Sequence, residues 1–557
     1  MSSFCTRLDR TLVGAIPVLA LTVTMAQGQA VPSDSAIRAI LKERVDSGNA
    51  PAILVGILEK GHRRYVAYGS NGPTRPPVDE HTLFEIGSIS KTFTGLLLAD
   101  AVVRSEVRLD QPVSELLGAG GKVPSREGKA ITLQLLSTHR SGLPRLPSNF
   151  APANIADPYS DYDAKLLGQF LSSYALPRAP GDSAEYSNLG AGLLGYALAL
   201  RAKTPSWGAL VDRRITAPLG MRETFVVVPS ALQNRVAVGH DERLDSVSAW
   251  HFDALAGAGA LHSTAADMLV YLAAQLDTTS GPLRHAVALG RTPRADFAPG
   301  TRIALGWMIV GQPSQPMWWH GGATAGFRTF VAFDPARQLA VVVLANSANT
   351  IDDIGMHLLN PLTPLSKPIR PPRVAMTLPA AALDRFAGEY QLTPALVLIV
   401  ARVGDALFAR ATGQPAFPLT ASAANRFVYP AAGIEMVFDT SETGSVRQLT
   451  FRQGGGTIMV PALPPRAAVT LSTAALDRLV GAYPLTPALL LAITRDGDIL
   501  YGQATGQPRF PLTATAANRF VFPLLGIEIV FDTSETGSAR GLTFRQDSAT
   551  LTAPRRP

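Results

Sequence analysis

An α/β (α+β) domain on an antiparallel sheet, followed by two tandem all-β barrel-like repeats, is the fold class this 557-residue sequence predicts. Three observations predict it. Strand-like hairpins stand near both ends of the first 365 residues with helix-like runs between them. A proline-rich, polar stretch follows, "NPLTPLSKPIRPPRVAMTLP" (Asn360 to Pro379), with the character of a linker. Beyond it the chain repeats itself without a gap in register.

In the first part, "AILVGILEKGHRRYVAYGS" reads as two strands around a turn at Lys60-Gly61-His62. "FVAFDPARQLAVVVLANS" reads as a second hairpin turning at Asp334-Pro335-Ala336-Arg337. "NLGAGLLGYALALRAK" and "AADMLVYLAAQL" carry helical periodicity. In the repeats, "LDRFAGEYQLTPALVLIVARVGDALFARATGQPAFPLTASAANRFVYP" from Leu383 returns as "LDRLVGAYPLTPALLLAITRDGDILYGQATGQPRFPLTATAANRFVFP" from Leu476. Short alternating runs such as "IEMVFDT" and "RQLTFRQ", broken by Gly-Asp and Thr-Gly turns, are the pattern of a small antiparallel barrel or sandwich. The expected organisation is a signal peptide over residues 1–30, a first domain over 31–365 and a linker over 366–380. A β repeat over 381–462, a linker over 463–472 and a second repeat over 473–557 follow.

Hydrophobic residues make up 46% and charged residues 17%, a globular balance. The net charge of +7 favours loose attraction to anionic surfaces. The basic residues are scattered, with no basic helix or arm, so nucleic acid is not an expected partner. Arg7 and Arg10, the apolar "LVGAIPVLALTVTMA" and small residues at Ala26 and Ala30 read as a cleaved export signal. The expectation is an exported, periplasmic protein without an integral membrane span after signal removal; an uncleaved tether is the lesser alternative. The single cysteine, Cys5, would leave with the signal, so neither disulfide nor thiol chemistry is expected. No cofactor is expected, and the nine histidines show no His-x-x-x-His or His-x-His spacing for a metal.

Chemistry concentrates in three stretches. "FEIGSISKTFTGLLLAD" places Ser88 and Lys91 three residues apart at the start of an apolar helix, on one face. A serine needs a base to become a nucleophile, and a partly buried lysine with a lowered pKa can be one. "PGDSAEYSNLGAGLLG" adds Tyr186, a candidate general acid or base, and Asn188, which offers both a donor and an acceptor. "WWHGGATAGFRTFVAFDP" adds His320-Gly321-Gly322 at the start of a strand, where glycines would let a substrate backbone approach.

Taken in this order, the stretches resemble the penicillin-recognising serine hydrolases: class C β-lactamases, DD-peptidases, D-aminopeptidases and related esterases. "FEIGSISKTFT" is similar to the Ser-x-x-Lys motif, "EYSNLGAGLLG" to the Tyr-x-Asn motif, and "WHGGATAGF" stands where a Lys-Thr-Gly strand would be. "LLSTHRSGLP", "APLGM" and "GAGALHSTAADM" support the match. The resemblance implies a β-lactamase/transpeptidase-like first domain. It implies Ser88 as the acylated nucleophile, Lys91 and Tyr186 sharing the proton transfers, and Asn188 on the substrate amide. It also implies an oxyanion hole from the backbone N–H groups of Ser88 and Ala323, with His320 and Gly322 lining the substrate.

Two departures stand out. His320 replaces the lysine that holds a substrate carboxylate; a histidine part-charged near neutral pH should hold it more weakly and in a pH-dependent way. Leu146 stands where class C enzymes usually carry an amide-binding glutamine, with Asn149 as a stand-in. The repeats resemble the lipocalin-like barrels appended to D-aminopeptidase-type members. The expected function is an exported serine hydrolase acting through an acyl-enzyme on a β-lactam or a D-amino-acid amide or peptide. The expected partner is a small-molecule or peptide substrate, cell-wall-derived peptides included. A carboxylesterase of the same family and a non-catalytic penicillin-binding sensor are the alternatives.

Overall fold

The structure is a computed structural model. It describes residues 31–367 and 376–556, apart from short stretches at 73–74, 119–120, 155, 394–395, 413, 415, 430–431, 441–445, 454–455, 465–468, 487–488, 507–508, 535–536 and 547–548. The expected signal peptide, Cys5 and the middle of the expected linker lie outside the described residues. The chain falls into two compact units. One runs through Lys367; the other holds the described residues from Met376 on, apart from 432–433.

The first unit is built on an eight-stranded antiparallel sheet. Its strands are β1 (Ala52–Glu59), β2 (His62–Gly69), β5 (Ala295–Ala298), β6 (Thr301–Ile303), β7 (Met308–Val310), β8 (Met317–Ala323), β9 (Arg328–Asp334) and β10 (Leu339–Ala345). A separate short pair, β3 (Phe84–Glu85) with β4 (His262–Ser263), lies between β2 and β5 in the chain. The order across the sheet is β2-β1-β10-β9-β8-β7-β6-β5. Both hairpins expected from the sequence form, and the second is held by the Asp334 carboxylate accepting from Ala336 N at 3.0 Å and Arg337 N at 3.2 Å.

Strand β1 is apolar throughout because both of its faces are covered. Ile53, Val55 and Ile57 pack with Val341, Val343, Phe330 and Ile354 in one layer. Leu54 and Leu58 pack with Val342, Leu344, Val331 and Phe333 in the other. Helices α1 (Asp34–Asp46) and a C-terminal helix over Asp352–Leu359 cover the first face. The second face carries the main helical layer, including α2 (Ser90–Val103), α3 (Leu133–Ser137), α4 (Ala164–Ser173) and α5 (Asn188–Arg201). Helix α2 is buried on every side from Ser90 to Ala101, so its hydrophobicity is not confined to a stripe. Lys91 sits in that buried stretch.

The second unit contains two eight-stranded antiparallel meanders, one per repeat, spanning Gly388–Pro461 and Gly481–Pro554. First and last strands meet through bridges at Tyr390↔Ala462 and Ala482↔Arg556, so each sheet is a nearly closed barrel. Alternation fills the interiors: Leu398, Val400, Leu407 and Phe438 in one copy, Leu491, Ile493, Leu500 and Phe531 in the other are buried. The copies share fastenings. Asp384 pairs with Arg402 at 2.7 Å, and Asp477 with Arg495 at 2.5 Å. Ile399, Ala401, Val403 and Phe408, on the outside of the first barrel, pack against the core cluster of the second.

Candidate active site

The nucleophile segment is a single 3₁₀ turn, Gly87–Ile89, that leads into α2. Lys91, one turn on, points back at Ser88: Nζ lies 2.8 Å from Ser88 Oγ and 2.7 Å from the Ala258 carbonyl oxygen. Lys91 is 3% exposed. Burial pushes its ammonium well below the ordinary lysine range, and the nearby Arg145 adds to the push. A neutral amine has two N–H donors and one lone pair. Ala258 O takes a donor, and the lone pair is left to accept the Ser88 proton.

Tyr186 comes from the loop that enters α5. Ser187 caps this helix, its Oγ accepting from Gly190 N at 2.8 Å and donating to Pro144 O at 2.6 Å. Tyr186 is fixed from beneath by His139, whose ring centroid is 4.4 Å away. His139 is in the left-handed backbone region at φ 56°. From there its carbonyl accepts from Glu185 N at 2.7 Å and its Nδ1 from Ser187 N at 3.2 Å. A buried side chain in that region persists only where its surroundings hold it, here by both neighbours of Tyr186. Lys91 Nζ is 4.8 Å from the Tyr186 ring centroid. Burial pushes the phenol up to about 12, against a hydrogen bond to Ser88 and the charge of Arg145. The tyrosine is therefore a phenol, a proton donor, at neutral pH.

Asn188 opens α5. Its Nδ2 donates to Tyr159 Oη at 3.1 Å, while Oδ1 is buried with no protein partner among the described residues. Tyr159 stacks on Phe252 at 4.5 Å and lies 5.3 Å from Trp250 and 5.1 Å from Phe150, so an aromatic wall stands beside Asn188. Glu85, just before the nucleophile turn, ties this wall in: its Oε1 accepts from Trp250 N at 3.0 Å, and burial raises its carboxyl to about 7.

His320-Gly321-Gly322 lies in the last half of β8, not at its start, because β8 begins at Met317. Strand β7 pairs only with Met317–Trp319. The following residues, paired with β9 on one side, border the nucleophile turn with the other. Gly322 serves that approach rather than the approach of a substrate. A Cβ there would meet Ile86 O at 2.1 Å and Thr329 Oγ1 at 2.2 Å. Gly87, at φ 50°, has the same constraint from the other side: its Cβ would meet Ala323 N at 2.7 Å. The Ala323 backbone thus runs directly beside the nucleophile turn.

His320 departs from expectation. It is 4% exposed, and burial next to Lys91 pulls its pKa down to about 3. Its Nδ1 lies 2.7 Å from the Gly321 carbonyl, which can only accept, so Nδ1 carries the proton. Nε2 is a buried lone pair with no protein partner among the described residues. A neutral acceptor cannot hold a carboxylate, and burial holds this imidazole below the near-neutral range expected from the sequence. Asn149 is tied into the fold instead: its Nδ2 donates to Leu166 O at 2.9 Å and its Oδ1 accepts from Tyr162 Oη at 3.0 Å, which leaves one donor and one lone pair of its amide. Leu146 packs against the core.

The sequence reading did not single out His139, Arg145 or Glu85. The first two lie within "LLSTHRSGLP" and its continuation, and for His139 a histidine shortly before a turn-forming Ser-Gly is the available signal.

The Beta-lactamase family model matches residues 37–358, more than half of the chain. The chain belongs to the beta-lactamase family. It is a serine hydrolase of the penicillin-recognising superfamily, and the match spans all of the site just described. Among relatives of this beta-lactamase family member is the beta-lactamase of Escherichia coli K12, 27% identical over 376 residues, covering 60% of this chain and 94% of that protein. Another is the D-alanyl-D-alanine-carboxypeptidase/endopeptidase AmpH of the same organism, 29% identical over 321 residues, covering 54% of this chain and 81% of that protein. The crystal structure of a beta-lactamase/D-alanine carboxypeptidase from Pseudomonas syringae shares the fold, with a TM-score of 0.51 at 23% identity over 56% of this chain and 94% of that one. No helix among the described residues is long and apolar enough to cross a membrane.

Proposed function

We propose that this chain is an exported serine hydrolase that works through an acyl-enzyme on Ser88, with a β-lactam or a D-amino-acid amide or peptide as substrate. The observation that carries the reading is the 2.8 Å contact between Ser88 Oγ and a buried Lys91. Neutral Lys91 takes the Ser88 proton as Oγ attacks the substrate carbonyl. The oxyanion is received by the backbone N–H groups of Ser88 and Ala323, whose segments abut; such donors are worth about 100- to 1000-fold in rate. Tyr186, protonated at neutral pH, gives its proton to the departing nitrogen or oxygen and recovers one from Lys91. The acyl-enzyme is then cleaved by a water that surrenders its proton along the same pair. Asn188 and the aromatic wall flank the acyl group.

Incubation with a fluorescent penicillin, followed by mass spectrometry of the Ser88 peptide, tests this. The expected result is label on Ser88, lost in Ser88→Ala together with hydrolysis. A Ser88→Ala protein with wild-type turnover would overturn the reading.

Carboxylesterase activity is a second reading. Leu146 is apolar and Asn149 is engaged elsewhere, so a substrate amide finds fewer partners, which an ester does not need. Nitrocefin, a short-chain nitrophenyl ester and a D-alanine amide, assayed side by side with deacylation of the penicilloyl enzyme, separate these classes from a sensor that stays acylated.

A further inference from the structure

We propose that Arg145 is the residue that recognises a carboxylate on the substrate, making this site selective for anionic acyl donors. The inference rests on the Ser88 acyl-enzyme reading and extends it to substrate class.

Arg145 is held in register with the catalytic residues through its backbone. Its carbonyl accepts from Asn188 N at 3.0 Å and Leu189 N at 3.2 Å, at the very start of α5. The exposed side chain turns to the site: its guanidinium carbon is 5.3 Å from the Tyr186 ring centroid. Among the described residues no carboxylate pairs with it and no acceptor takes a hydrogen bond from its guanidinium. Five N–H donors in a planar fork are thus available at the rim of the site, in the geometry that suits a carboxylate.

Among the described residues the rest of the site supplies no competing charge. Lys91 is buried and already engaged with Ser88 and Ala258. His320 presents only a lone pair. Arg328 pairs with Ala323 across the β8–β9 ladder, so its side chain shares the face of Ala323 and Gly321. That face looks toward Asp352, away from Ser88. Arg145 is the charged group acting on both Tyr159 and Tyr186, and no carboxylate is among the groups acting on Lys91, His139, Tyr186 or His320. A cation over the catalytic tyrosine with no counter-ion leaves that position to be filled by the ligand.

The test compares two substrates that differ only in one group: a depsipeptide ester with a free carboxylate and its neutral methyl ester. Wild type should prefer the acid. In Arg145→Gln the ratio of kcat/KM, acid over methyl ester, should fall by roughly 10- to 100-fold, the size of a lost charge-assisted pair. The fall should reside in KM. Arg145→Lys should recover part of the ratio, and raising the salt should shrink it in wild type, since the side chain is exposed. An unchanged ratio in Arg145→Gln, with Ser88-dependent hydrolysis of both esters intact, overturns the proposal and leaves the acyl-enzyme reading standing. An equal loss on both esters with a shifted pH profile also overturns it, because Arg145 would then act only through Tyr186. Hydrolysis that survives Ser88→Ala would instead remove the reading beneath.

Discussion

Replacing Gly322 by alanine adds one methyl group at the point where two segments of the site touch. The new Cβ would stand 2.1 Å from Ile86 O and 2.2 Å from Thr329 Oγ1, where ordinary contacts begin near 3.4 Å. Neither neighbour can yield cheaply. Ile86 O is backbone, and Thr329 Oγ1 is committed to it at 3.0 Å. The end of β8 must therefore withdraw from the nucleophile turn by about 1 Å, carrying Ala323 N away from Ser88. A displacement of that size costs about 100-fold in rate, and the strain costs about 1–3 kcal/mol of stability. Gly321 is the internal control, since its Cβ would meet nothing nearer than Asp352 Oδ2 at 3.5 Å, on the opposite face. Gly321→Ala should keep kcat/KM for a nitrophenyl ester within about threefold. Steady-state ester turnover, with thermal unfolding to normalise for folded protein, reads both. Wild-type turnover in Gly322→Ala, or equal damage in the two variants, would refute the argument that contact between β8 and the nucleophile turn sets the oxyanion geometry.

Because Lys91 is held well below the ordinary lysine range, rate should fall only on its acid side, as protonation removes the base, and the limb should lie far below 10.5; a limb at the ordinary lysine value would contradict a buried base. His320 should stay neutral, so KM for a carboxylate substrate should be flat from about pH 5.5 to 8. Its depressed pKa also has a stability signature. Below about 6.5 the unfolded chain binds a proton that the native state refuses, so wild type should lose up to about 1.4 kcal/mol per pH unit more than His320→Gln as pH falls toward 3; equal acid sensitivity in denaturant titrations would show that the histidine titrates normally. Cutting the chain near Lys367 should leave ester turnover within about tenfold, because every candidate catalytic group precedes the cut. A cut near Pro464, which strips the second barrel from Ile399, Val403 and Phe408 of the first, should give the less soluble product.

Local pattern made part of this site legible. Ser88 and Lys91 meet because three residues span one helical turn, and Tyr186 and Asn188 stand on either side of a serine cap; both facts are written in adjacent letters. The barrel strands are legible for the same reason, their alternation being a local signal, and the hairpins of the first unit by their turn residues between apolar runs. What stayed hidden depends on partners distant in the chain. Gly322 reads as an opening for a substrate backbone at a strand start until Ile86, more than two hundred residues earlier, is found against it. Asn149 reads as a free amide until Tyr162 and Leu166 claim it. His320 reads as a titrating group until its burial is seen. Arg145 gave no signal, because what marks it is the lack of a partner.

The two barrels carry matching fastenings, Asp384 to Arg402 and Asp477 to Arg495, over cores of nearly the same sequence. During refolding from denaturant each strand accordingly has two almost isoenergetic destinations, its own barrel and its neighbour's. Exchange of equivalent strands between adjacent, similar modules is the misassembly such arrays are prone to. Emergence of the chain from its N-terminus, at the ribosome or across a membrane, disfavours it, since the first barrel can close before the second is released. This protein should therefore be recovered far more cleanly from cells that fold it as it is made than from solubilised aggregates.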